Sequence, residues 1–389
     1  MKRRHLVLIS SLLCLLALEA GMRLFGGTDI DGNFSIRSVQ LRPYRLPVKS
    51  TAAAMKKLST TDITITTQYD PLLGWSPRPE SRFMYGFYAY DAQGIRTKTP
   101  LSPPRISTSG ITVAVFGDSY VHGDDVQYDD TFSAILERSR SGIRVLNLGY
   151  SGYGIDQAYL RWRSIKNQIS PKVVVLGFQA ENIKRCQNMF RRFYYYRSSI
   201  HLSKPRFILK DGALELVNSP TPSPHELAAV IATLPHSPLA AHEAFYDPAD
   251  YADSFWLKSR LTAFFLTALA RETRTPRKAG RNFYPPDTEP ARLALRIIDS
   301  FRREAEEAGA RFWILHIPRR DQLAAARRGK PLDYAALLKK LKKDFHVIDP
   351  TEKLLRRSES TSLDSLFTPQ KHYSAAGNRV IAEVLAESL

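Results

Sequence analysis

The chain predicts an α/β protein built on a doubly wound parallel sheet. Three observations carry that prediction: short apolar, β-branched runs end in glycine or polar residues, stretches of helical spacing separate them, and the two alternate through most of residues 111–389. The first run, ITVAVF from Ile111, shows no polar alternation and ends at Gly117, as a strand buried on both faces does. Further strands are predicted in IRVLNLG from Ile143, KVVVLGF from Lys172, RFWILHIP from Arg311 and FHVIDP from Phe345. Helical spacing follows the first strand in DDTFSAILERSR and recurs at about 156–168, 289–307 and 334–343. In such sheets ligands bind beyond the carboxyl ends of the strands, where the strand order reverses. The residues just after each strand are therefore the candidates for function.

The alternation breaks between about 184 and 290. That interval holds the hairpin signal FILKDGALELV with Asp211 and Gly212 as turn residues, a proline-rich NSPTPSPHE, and the amphipathic SFWLKSRLTAFFLTALARE. It reads as an inserted cap region over the cleft. Residues 28–110 read as a stalk and a loop-rich lead-in, in which YDPLLGWSPRP and YDAQGIRTKTP suggest turns packed on a neighbouring domain. Residues 1–27 read as a signal-anchor: Lys2, Arg3 and Arg4 precede LVLISSLLCLLAL, and positive flanks stay in the cytoplasm. An uncleaved span over 6–25 matches the ~20 residues a helix needs to cross a bilayer. Glu19 and Arg23, four apart, can pair near its outer end. The expected place is a single-pass anchor in a bacterial inner membrane, with the rest of the chain in the periplasm.

At 389 residues the chain has room for one large domain or two modest ones, and 43% hydrophobic with 24% charged residues excludes disorder over the whole length. The two cysteines, Cys14 and Cys186, exclude a disulfide framework and a thiolate metal site. A formal charge of +18 raises the question of nucleic acid. Its basic residues fall in scattered runs such as IKRCQNMFRR and LKKLKK, without a zinc-finger, helix-turn-helix or RNA-binding signature, so no nucleic-acid partner is expected. A basic surface facing anionic lipid or an acidic glycan suits them better.

Gly117, Asp118 and Ser119 directly follow the first strand. A serine there can present its hydroxyl and its own N–H at the top of the sheet, a nucleophile and an oxyanion donor from one residue; a strand-end turn with a capping serine fits the tripeptide equally. After the second strand, NLGYSGYG offers glycines that let the backbone approach a ligand, Gly152 among them. It matches neither G-x-S-x-G, since Tyr153 stands where glycine is required, nor the spacing of G-x-G-x-x-G. LGFQAENI brings the Asn182 amide to the third strand end, and HYSAAGN brings His372 to the loop after the last strand. A lone histidine is more often structural, but at this position it is a candidate general base for Ser119.

In order and context these four features resemble the four blocks of the SGNH/GDSL hydrolase family, with FGDSYVHGDDV, LNLGYSGYGIDQ, ENI and HYSAAGN in turn. YDPLLGWSPRP with the later GIR also looks like the lead-in of membrane-anchored members. The resemblance implies a flavodoxin-like fold, Ser119 as nucleophile, His372 as base, and Ser119, Gly152 and Asn182 as the oxyanion hole. A one-residue shift would put Glu181 at the amide position instead. Two departures stand out. The third block reads ENI where Asn-Asp is usual, and the family's aspartate just before the histidine is replaced by Pro369 and Gln370. A Ser-His dyad steadied by a backbone carbonyl, by Gln370 or by Asp364 is then expected. The implied function is a serine esterase or deacetylase acting on an acylated envelope glycan or exopolysaccharide, without metal or organic cofactor. Two alternatives remain open: a polysaccharide O-acyltransferase using the same serine, and a non-catalytic glycan-binding or assembly protein that keeps the fold.

Overall fold

The structure is a computed structural model that describes residues 2–37, 39–58, 66–83, 87–99, 110–278 and 283–389. Its centre is an eight-stranded sheet formed by β1 (Arg82–Phe83), β2 (Tyr88–Tyr90), β3 (Arg96–Thr97), β4 (Ile111–Phe116), β5 (Ile143–Asn147), β6 (Val173–Phe178), β7 (Arg311–His316) and β8 (Val347–Ile348), in the order β8-β7-β6-β4-β5-β3-β2-β1. From β8 to β5 all pairings are parallel. Within that part the first strand of the chain, β4, lies between the second and the third, so the order reverses at β4. This is the flavodoxin-like doubly wound arrangement, and its switch point is where a ligand site forms.

The principal helices are α1 (Lys2–Phe25), α2 (Ser119–His122), α3 (Phe132–Ser139), α4 (Ile155–Ile165), α5 (Glu181–Arg185), α6 (Arg191–Tyr194), α7 (Glu289–Glu307) and α8 (Ala375–Ser388). Side chains alternate across a strand, and here both sets are apolar. Ala114, Phe116, Val174, Leu176 and Ile314 pack under α4 and α7, while Val113, Val115, Val173, Val175 and Leu315 pack under α3 and α8. Two helical layers therefore cover the sheet, which explains why its strands read as unbroken apolar runs.

Residues 28–110 differ from the expected stalk and loop-rich lead-in. They contribute β1, β2 and β3, which extend the sheet in antiparallel fashion through Arg96↔Asn147, and a helix Val48–Leu58. Strands of two or three residues bury too few side chains to leave a periodic signal. Residues 59–65, 84–86 and 100–109 of this interval, and 279–282 of the insertion, lie outside the described residues.

The insertion contains the expected hairpin, Arg206–Lys210 against Ala213–Val217, with Asp211 at φ 51° and Gly212 at φ 77° in its turn. Met189, Phe190, Leu227 and Tyr246 of the insertion share a buried cluster with Met55, Trp75 and Tyr90 of the lead-in and with Tyr150 and Tyr153 from the loop after β5. Its amphipathic segment forms the helix Arg260–Lys278, which packs against α1. The helix α1 has, over Arg4–Phe25, the length and a hydropathy of 1.9 that suit a membrane span, and none of that window is buried in the protein. Its Glu19 and Arg23 pair at 2.8 Å.

Candidate active site

The loop that carries Ser119 is set by local capping. Asp118 accepts from the Tyr120 N–H at 2.9 Å and so starts α2 at Ser119, and Gly123 closes the helix in the left-handed region at φ 77°. The helix sinks between the strand ends because glycines make room for it. A Cβ on Gly177 would lie 2.2 Å from Val121 Cγ2, and one on Gly149 would lie 2.5 Å from the His122 nitrogen.

Past Gly123 the chain turns sharply, and Asp125 takes φ 69°, a conformation that aspartate tolerates better than most residues. The lead-in holds this turn from outside. Buried Arg96 donates to the carbonyls of His122, Gly123 (2.6 Å) and Val126 (2.7 Å), and the Asp125 N–H donates to the Tyr88 hydroxyl at 2.8 Å.

The turn delivers Asp125 to His372. The Ser119 hydroxyl donates to His372 Nε2 at 2.9 Å, and His372 Nδ1–H donates to Asp125 Oδ2 at 2.5 Å. Thr368 Oγ1 adds a bond to the same carboxylate oxygen at 3.1 Å. The Tyr120 ring packs edge-on to the imidazole at 5.1 Å between centroids, and its hydroxyl donates to the Lys371 carbonyl at 2.7 Å. Alcohol, imidazole and carboxylate thus form one chain of hydrogen bonds.

This corrects the expected partners of His372. Asp364 is exposed and pairs with Arg320, and Gln370 is exposed; the carboxylate bonded to the imidazole is Asp125, on the same loop as Ser119. The residues beside the histidine were the expected partners because the aspartate of the resembled family stands there. The available signal was the pair Asp124 and Asp125 just after a glycine, within the same quoted block as Ser119.

The other member of that pair has a separate task. Asp124 accepts from His122 Nδ1–H at 2.5 Å and from Ser151 Oγ at 2.7 Å, and His122 Nε2 accepts from the Tyr90 hydroxyl at 2.7 Å. Burial, with the like charge of Arg96, lowers the His122 imidazole to about 4 against the pull of Asp124, so it is neutral at pH 7. Ser151 precedes Gly152, so this network ties the glycine loop to the loop that carries Ser119. Gly152 itself adopts φ 82° and its carbonyl accepts from Arg191 at 3.2 Å.

Asn182 lies in α5, almost fully buried, and its Oδ1 has no hydrogen-bond partner among the described residues. No hydrogen bond among the described residues joins Gly152 or Asn182 to Ser119. Gln179, passed over in the sequence, is also buried; it follows Leu176 by as many residues as Ser119 follows Phe116, and those two strand positions are paired. Glu181 is not free to act as an amide substitute. Burial opposes its charge, but Arg185, the Tyr194 hydroxyl and Arg319 outweigh that and bring the carboxyl down to about 2. Arg185 also pairs with buried Asp118 at 3.1 Å. Burial and the like charge of Arg185 lower the Arg191 guanidinium to about 10, and among the described residues Arg191 forms no ion pair. Among the described residues no cluster of histidine, cysteine, aspartate or glutamate could hold a metal ion.

No protein-family model and no curated protein matches the chain. Solved structures that it is similar to include a member of the lipolytic protein G-D-S-L family from Veillonella parvula, at 13% identity and a TM-score of 0.33, covering 72% of this chain and 97% of that one. Another is a catalytic mutant of an acetylxylan esterase from Geobacillus stearothermophilus, at 13% and 0.35, covering 72% and 94%. A third is a psychrotrophic esterase from a Pseudoalteromonas species, at 11% and 0.33, covering 71% and 95%. The chain is similar to these structures, one of them of the lipolytic G-D-S-L kind.

Proposed function

We propose that the protein is a serine esterase of the SGNH/GDSL type that removes acyl groups, acetyl foremost, from an envelope glycan or exopolysaccharide outside the inner membrane. The single observation that carries this reading is the hydrogen-bonded chain Ser119–His372–Asp125. In it, His372 Nε2 takes the hydroxyl proton as Ser119 Oγ attacks the acyl carbonyl, and Asp125 holds the ring and balances the imidazolium that forms. The N–H groups of Ser119 and Gly152 and the Asn182 amide stabilise the tetrahedral oxyanion. Imidazolium then returns the proton to the leaving sugar oxygen, leaving an acyl-enzyme that water clears by the same steps reversed.

The non-catalytic alternative rested on a missing carboxylate, and Asp125 removes that ground. A fluorophosphonate probe tests the reading directly. The full chain is expected to label, and Ser119→Ala to lose labelling together with about 10⁵-fold or more of its turnover on an acetyl ester. An intact protein that resists the probe would return the site to a binding role.

A further inference from the structure

Beyond α1, the described residues leave an apolar ridge uncovered on the insertion. In the helix Arg260–Lys278, Ala263 and Thr267 face the protein at 0% and 1% exposure, whereas Phe264, Phe265 and Leu269 are 37%, 62% and 55% exposed. A surface helix of a water-soluble domain turns its large apolar residues inward; this one turns Leu266 in beside Ala263 and Thr267 but leaves Phe264, Phe265 and Leu269 outside. The preceding turn, Phe255–Lys258, adds Phe255 at 74% and Trp256 at 67%. A contiguous exposed patch of this kind marks an interaction surface.

The ridge is bolted to α1. Glu19 accepts from the backbone N–H groups of Arg260 (3.0 Å) and Leu261 (2.8 Å) and from Ser259 Oγ (2.9 Å), so a carboxylate of α1 caps the start of the second helix. Arg23 donates to the Lys258 carbonyl at 3.0 Å. Over 258–278 the sequence holds Lys258, Arg260, Arg271, Arg274, Arg277 and Lys278 against Glu272 alone, a balance that suits anionic headgroups.

We infer that the helix Arg260–Lys278 and the turn Phe255–Lys258 rest in the headgroup layer of an anionic phospholipid bilayer crossed by α1. The occupant follows from continuity: the ridge begins at the end of a helix fit to span a membrane, and aromatic side chains favour that interface. The inference rests on α1 being an anchor and not on the enzymatic reading. It gives the domain two fixed membrane contacts, a spanning helix and an interfacial one, in place of a flexible tether.

The full chain is reconstituted in vesicles of phosphatidylethanolamine and phosphatidylglycerol carrying bromine near the headgroup end of the acyl chains. Trp75, Trp162 and Trp313 are buried, so Trp256 is the tryptophan open to lipid. Emission is expected to fall by about a quarter, the share of one tryptophan in four, and Trp256→Phe to abolish that fall. Phe265→Ser, read through Trp256, gives a second variant and is expected to weaken the quenching. Alkaline carbonate extraction reads the anchor separately. Protein that resists extraction without Trp256 quenching overturns the interfacial helix alone, and protein that washes off overturns the anchor and the inference with it. Unquenched, blue-shifted Trp256 emission with a doubled mass in sedimentation assigns the ridge to a second copy and overturns it too.

Discussion

Asp124 and Asp125 are adjacent in the chain and serve different histidines. Asp125 orients His372, so Asp125→Asn is expected to leave the fold intact and to lower turnover by about 10⁴-fold, the cost of a misdirected imidazole tautomer. Asp364→Asn and Gln370→Ala are expected to stay within about twofold of the parent, as surface changes outside the hydrogen-bonded chain do. Steady-state kinetics on an acetyl ester checks all three. Asp124 serves His122, whose folded pKa of about 4 lies below the ordinary 6.5. As pH falls from 6.5 towards 4 the unfolded chain takes up this proton and the folded one does not, so stability that is full above 6.5 declines over that window, by an amount on the order of 3 kcal/mol. Imidazole nitrogen shifts in NMR are expected to show His122 neutral at pH 5; a protonated ring at that pH would refute the assignment. Ser119 stood out in the sequence because it follows a strand directly, and His372 because it lies beyond the last strand, shortly before α8. Asp125 did not, because its reach depends on a left-handed turn that residue types alone do not announce.

The element α2 shows how backbone room becomes chemistry. Val121 fills the space that side chains on Gly149 and Gly177 would occupy, and this seats Ser119 level with the strand ends. Gly177→Ala pushes Val121, and α2 with it, outward. The expected result is a loss of about 10²-fold in kcat, the scale of a misplacement near 1 Å, with a thermal midpoint lowered by only a few degrees; a midpoint lowered without loss of kcat would show that the wedge serves packing alone. The strands β4 to β7 were legible because burial on both faces leaves unbroken apolar runs. The strands β1 to β3 were not, although Arg96 in β3 gathers three carbonyls of the loop that carries Ser119. Their contribution is polar and long-range, a pattern without period.

At the scale of the molecule, the alternation of strand and helix predicted the doubly wound sheet, and the break in it marked the insertion. What the alternation could not reveal is where the insertion goes. Its first part reaches the site, since Arg191 donates to the Gly152 carbonyl and Tyr194 donates to Glu181 at 2.5 Å; its amphipathic helix, expected over the cleft, lies on α1 instead. The net charge of +18 and a half-buried Arg191 that forms no ion pair among the described residues point the proposed substrate towards an acidic glycan. An acetylated oligouronate is therefore expected to be cleaved with about tenfold higher kcat/KM than its methyl-esterified form, a preference lost in Arg191→Gln and reduced by salt. Equal rates on both forms would refute the acidic substrate.

Ser119 and Asp125 share one loop, but His372, the base of the proposed mechanism, arrives 253 residues after Ser119. A nascent chain that has not yet reached His372 carries an inert alcohol, as does any proteolytic fragment cut short of it. On the proposed reading, turnover is itself a certificate of completed folding, and esters met by the chain during synthesis are safe from it.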